Sequence, residues 1–175
     1  MIKSEATPSP RSAALANLWQ CIVEPGLTQD AGRARVGAAA VKSALRADPV
    51  RLSGPLACSL LKRGISSRAI GPLGDFLGVG KGAVADMLEI DRGTAARWAS
   101  KDQPLPTHAA EGVLRLIELD QLAIDTFDTE AEALQWLRRP HPLLDGDDPL
   151  TAARTSFGAQ RVKDILLAVR YGGVA

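Results

Sequence analysis

Few side chains in this sequence suit covalent or metal chemistry, and their spacing argues against most of it. His108 and His141 are the only histidines, and neither stands with Cys, Asp or Glu at a ligand spacing. Cys21 and Cys58 lack any paired spacing, so both read as reduced, small hydrophobes rather than a disulfide or a zinc site. No Ser-His-Asp or Cys-His arrangement can be assembled. Gly78-Val79-Gly80-Lys81-Gly82 invites a phosphate-loop reading. Asp75 stands where the leading glycine belongs, however, and Gly82 stands where Ser or Thr should follow the lysine. No strand precedes it, which removes a dinucleotide loop as well. Asp145, Asp147 and Asp148 lack the loop length and closing Glu of a calcium hand, and Asp148 reads as a helix cap before Pro149. The expectation is a non-enzyme with no catalytic residue, no metal and no cofactor.

Two other groups of residues suit recognition. Lys81–Glu89 and Arg92–Lys101 make two short helices joined by a tight turn. Ala85, Leu88, Ala95 and Trp98 can form a small core beneath them. Lys81, Arg92, Thr94, Arg97 and Lys101 are then candidates for DNA contact, since Arg pairs with guanine edges and Lys or Thr reaches phosphate. This is helix-turn-helix logic. The same pattern fits a plain helical hairpin with a solvated charged face, and Asp86, Glu89 and Asp91 near that surface count against DNA. Both readings stay open here. The second group lies at the C-terminus, where Val162, Ile165, Leu166 and Val169 form an inner stripe. Arg161, Lys163, Arg170 and Tyr171 rim it. An apolar helix with an Arg/Tyr rim suits a protein partner, and it equally suits a terminal helix docked on its own core.

The elements that must position these groups are helical. Ala and Leu dominate an apolar fraction of 46%, aromatics are 4%, and β-branched residues form no alternating run, so the fold class is all-α. Residues 1–12, rich in Ser, Thr, Pro and charge, read as a disordered arm. Residues 13–50 read as an N-terminal helical extension with helices over 13–23 and 28–47. Short helices follow over 55–63, from Ser66 or Ser67 to Leu77, over 81–89 and over 92–101, with Asp91 capping the last. A long helix spans 107–127. Thr129 to Glu132 reads as a capping box for a helix ending near Arg139. The final helix runs over about 157–170, closed by Gly172-Gly173. A net charge of +1 excludes non-specific coating of nucleic acid, although residues 105–145 hold 8 acidic and 3 basic groups. No run approaches a membrane span, and a cytoplasmic location is expected.

Read in order, several of these residues resemble a known family. Leu88-Glu89-Ile90 with Thr94 and Arg97, then Ala133, Trp136-Leu137, Pro140, Leu144, Gly146, Pro149-Leu150, Thr155, Gly158, Val162, Leu166 and Tyr171-Gly172 resemble the Xre/MbcA/ParS antitoxins, partners of RES-domain toxins. The likeness covers residues from about 55 to 175. It implies an Xre-like helix-turn-helix domain over 51–120 and a small helical toxin-binding domain over 121–175. It further implies an antitoxin that neutralises an NAD-consuming or ADP-ribosylating toxin by covering its active site, and that represses its own operon. NAD would belong to the toxin. Toxin contacts would fall on Phe157, Arg161, Val162, Ile165, Leu166, Arg170, Tyr171 and Gly172. A homodimer inside a larger toxin–antitoxin complex is expected, because helix-turn-helix operators are usually palindromic. The family often has paired basic residues where this chain has Arg97-Trp98, and the first 50 residues have no counterpart in shorter members. The alternative is a stand-alone helix-turn-helix regulator with a C-terminal dimerisation or sensor domain.

Overall fold

The computed structural model describes residues 10–23 and 51–172, and among these the chain is helical with no strand. The expected helix over 28–47, most of the expected arm and Gly173 lie outside the described residues. The first helix, α1, spans Pro10–Val23. It starts earlier than the sequence reading placed it, so Pro10, Arg11 and Ser12 belong to a helix and not to a disordered arm. The reason is Arg11, whose contacts below hold the first turn.

Next come α2 (Gly54–Arg63) and a short 3-10 turn (Ser67–Ala69), then α3 (Ile70–Leu77) and α4 (Lys81–Met87). They are followed by α5 (Arg92–Ser100), α6 (Thr107–Thr126) and α7 (Glu130–Leu137). A 3-10 turn over Pro142–Leu144 leads to α8 (Pro149–Ala152) and α9 (Ser156–Arg170). Local chemistry sets most of these limits. Pro55 sits in the first turn of α2, where its missing N–H is no loss, and Gly64 ends the helix at φ 84°. The Ser66 hydroxyl accepts from the Arg68 N–H at 3.1 Å and starts the 3-10 turn. Gly78 ends α3 at φ 65°, in left-handed backbone that favours glycine. Asp91, Thr129, Asp148 and Thr155 each accept from the N–H three residues on, satisfying an otherwise orphaned donor. The Thr129–Glu132 box is half made. The Thr129 hydroxyl donates to Glu132 Oε2 at 2.9 Å, so the Glu132 side chain meets that hydroxyl.

The buried apolar residues form one continuous core. α1 lies across α3 through Leu18, Trp19 and Ile22, all at most 1% exposed, and Arg63 at the end of α2 donates to the Val23 carbonyl at 2.8 Å. A backbone strap closes this front half, with Leu105 N–H on Ile65 O at 2.8 Å and Ser67 N–H on Gln103 O at 2.9 Å. The long helix α6 is the shared wall: α2, α3, α7 and α9 all pack on it. Val113, Leu116 and Ile117 are buried, while Ile124 and Phe127 at its end are half-buried.

Asp120, in the middle of α6, is buried completely. Its Oδ1 is paired with the Arg11 guanidinium of α1. Arg11 also stacks over the Phe76 ring of α3, 4.7 Å from its centroid, and donates from Nη1 to the Glu130 carbonyl of α7 at 3.1 Å. Asp120 Oδ2 accepts no hydrogen bond among the described residues. Burial pushes the carboxyl up to about 6 against the pull of Arg11, with the Glu130 charge adding to the push. A carboxyl whose folded value lies above its unfolded value of 3.8 contributes stability at low pH that is lost as pH rises. Compared with Asp120→Asn, the native chain should therefore lose stability between about pH 4 and 6 and change little above that. Urea midpoints of both proteins across this range test it, and a native-minus-variant difference that does not move with pH would refute the assignment.

Candidate functional site

The α4–α5 unit carries the first group of residues. Ala85, Leu88 and Ala95 are buried and Trp98 is half-buried, as a small underlying core requires. Lys81 opens α4 and Arg92 opens α5, and both are exposed. They share a groove of about 290 Å³ with Arg68, floored by Ile70, Gly71 and Ala95. The Lys81 stem lies on Gly71, where a Cβ would come 3.3 Å from Lys81 Cε. Thr94, Arg97 and Lys101 do not line this groove. By helical register they share the opposite flank of α5. Arg97 reaches Thr94 Oγ1 only at 3.5 Å, and Lys101 is the exposed C-terminal cap of α5.

The acidic neighbours have defined tasks. Asp86 of α4 pairs with Arg92, with Nε 3.2 Å from Oδ1 and Nη2 2.5 Å from Oδ2. That hydrogen-bonded partner holds the Asp86 carboxyl below its usual value. Asp91 is spent on the α5 cap, and the Thr94 N–H holds its carboxyl low too. Glu89 is exposed in the turn at φ 56°.

The second group lies on α9. Ala159, Val162, Ile165 and Leu166 are at most 6% exposed and dock the helix on α6. Burying each large side chain here contributes about 2 kcal/mol. Val162, Ile165 and Leu166, three of the expected toxin contacts, are therefore anchors and present no surface. Val169 belongs to the same stripe by spacing but is 40% exposed. Outward, Phe157 is 85% and Tyr171 77% exposed. Phe157, Arg161, Asp164, Ala168 and Tyr171 recur at i, i+4, i+7, i+11 and i+14. One face of α9 thus carries an aromatic ring near each end, about 21 Å apart along the axis.

The two arginines of this group are not free. Arg161 donates to Asp145 Oδ2 at 2.8 Å and to the Leu143 carbonyl at 2.5 Å, stapling α9 to the 3-10 turn. Arg170 lies 3.8 Å from Asp125, which also pairs with Arg51. Gly172 ends the helix at φ 72°. Sequence reasoning missed Leu143 and Leu167, exposed at 47% and 39%. Their isolated positions gave no periodic signal. His141, between two prolines, caps the 3-10 turn with Nδ1 accepting from Leu143 N–H at 3.2 Å, and stands edge-on to Trp136 at 5.8 Å. Among the described residues no group of His, Cys, Asp or Glu is placed to hold a metal, and no helix is long and apolar enough to cross a membrane.

Comparison with known proteins matches residues 122–172 to the family model of the antitoxin Xre/MbcA/ParS C-terminal toxin-binding domain. A curated relative, the Prs ADP-ribosylating antitoxin of Sphingobium sp. (strain YBL2), is 28% identical over 145 residues. The similarity covers 78% of this chain and 88% of the relative, so it extends well beyond the toxin-binding segment.

The seat of α9 depends on one glycine. A Cβ on Gly158 would stand 1.8 Å from the Ala152 carbonyl oxygen of α8, which no side-chain motion relieves. Gly158→Ala should cost roughly 3 kcal/mol and lower the melting temperature. A variant that melts like the native chain would show that α8 and α9 are not this close.

Proposed function

We propose that the chain is an antitoxin of the Xre/MbcA/ParS family, whose C-terminal toxin-binding domain its residues 122–172 match, and that it neutralises a RES-domain toxin by laying α9 over the toxin's active-site entrance. Antitoxins of this family are non-enzymatic regulators, and no reaction is assigned to the chain. The observation that carries the reading is the outward row of α9. An isolated, 85% exposed Phe157 and a 77% exposed Tyr171 on a helix locked from behind is how a helix-in-groove ligand is presented. The inner face cannot serve, because it is already occupied by α6. Aromatic residues are the usual anchors of such contacts, and a helix held in place beforehand loses little conformational freedom on binding. Arg161 fixes the N-terminal half of the row, and Tyr171 with Arg170 beside it supplies a polar tip for a cofactor-binding pocket.

In the same proposal the toxin consumes NAD or transfers ADP-ribose. The relative's name contains the word ADP-ribosylating, which supports this choice. The α4–α5 unit reads the operator of the chain's own operon. Arg92, Lys81, Thr94, Arg97 and Lys101 remain the contact candidates, with Lys81 on α4 and the others on two sides of α5. A homodimer presents two such units to a palindromic site.

Co-expression with the product of the adjacent gene tests the toxin half. Growth rescue and a stable co-purified complex are expected. Phe157→Ala and Tyr171→Ala should each weaken the complex about tenfold or more, with unchanged helicity, whereas Lys62→Ala, at an exposed position of α2, should not. A folded native chain that neither rescues nor co-purifies would move the function to a stand-alone regulator.

A further inference from the structure

Arg92 is seated differently from the other cations of the α4–α5 unit. It is the first residue of α5, the end that a reading helix pushes into the major groove. Its guanidinium folds back over α4. Gly82 leaves the room for this: a Cβ there would stand 3.2 Å from both Nε and Cζ of Arg92. Asp86, four residues on and on the same side of α4, grips the guanidinium along its Nε–Nη2 edge. The described residues give Nη1 no hydrogen-bond partner. What is left free is a two-donor fork made of Nη1 and the remaining Nη2 proton. That fork matches the O6 and N7 acceptors that guanine shows in the major groove.

The pair is a poor device for stability. Its side chains are 67% and 49% exposed, and pairs in water contribute little. Its physical effect lies elsewhere. A long side chain held in one conformation before contact has less freedom to lose on binding. A carboxylate facing the same surface also repels phosphate, which weakens binding to DNA of any sequence. The two effects have opposite signs for specific and random DNA.

We propose that Asp86, with Gly82 as the floor of the seat, is a positioning residue that determines specificity, holding Arg92 to read guanine while lowering general affinity for DNA. This rests on the operator-reading part of the proposed function. The experiment selects a consensus from a randomised duplex library with the full-length native chain. It then measures Kd for the consensus, for consensus duplexes with each guanine replaced in turn, and for random duplex. The same is done for Asp86→Asn, Gly82→Ala and Arg92→Lys, with circular dichroism melts to confirm folding. In Asp86→Asn, preference for one guanine in each half-site should fall about tenfold while affinity for random duplex rises. Arg92→Lys should lose the same preference, and Gly82→Ala should shift it in the same direction. If Asp86→Asn tightens consensus and random DNA by one common factor with the guanine preference intact, Asp86 is only a repulsive charge and the inference fails. If the native chain selects no consensus, operator reading fails and takes this inference with it.

Discussion

One guanidinium holds the helices in register. Asp120 lies inside α6 with no access to water, so its carboxylate requires a cation, and Arg11 of α1 supplies it. The same guanidinium stacks on Phe76 of α3 and bonds the carbonyl that opens α7. Burial outweighs the attraction, since the Asp120 carboxyl is pushed up to about 6. The pair is therefore not a net source of stability. Its consequence is positional, because any other docking of α1 leaves a buried charge unpaired, which is far more costly than the pair itself. The apolar contacts of Leu18, Trp19 and Ile22 supply the adhesion, and Arg11 fixes the register.

With α1 fixed, α6 can serve two purposes on two sides. Its front supports α3 and, through α3, the α4–α5 unit. Its back carries α7 and α9. The two halves touch again at a polar point: Arg138, at the end of α7, donates from Nη1 to the Gly78 carbonyl at 3.0 Å. Gly78 sits in the turn that leads into α4, and a side chain there would meet Arg138 Nη1 at 2.8 Å. The α4–α5 half and the α9 half are thus joined by a shared helix and by a direct hydrogen bond.

Much of the candidate site was legible because it is local. Asp91, Thr129 and Asp148 were readable as caps, since a cap needs only a short polar side chain and the next three residues. The inner stripe of α9 followed from its period. What failed was anything that needed a distant partner. Val169 fits the stripe yet is 40% exposed, which spacing along one helix does not reveal. Arg161 and Arg170 looked free and are engaged by Asp145, Leu143 and Asp125. Arg11 looked like part of a loose arm.

The sequence by itself determined the all-α class, the limits of most helices and which face of each is apolar. These depend on interactions within one turn or on a 3.6-residue period. Only the tertiary structure decided that α1 is locked into the fold, that three expected contact residues of α9 are anchors, and that Arg92 lies in a seat made by Gly82 and Asp86. Each of these depends on a side chain meeting a group that another helix brings to it. Spacing along one helix carries no information about that meeting.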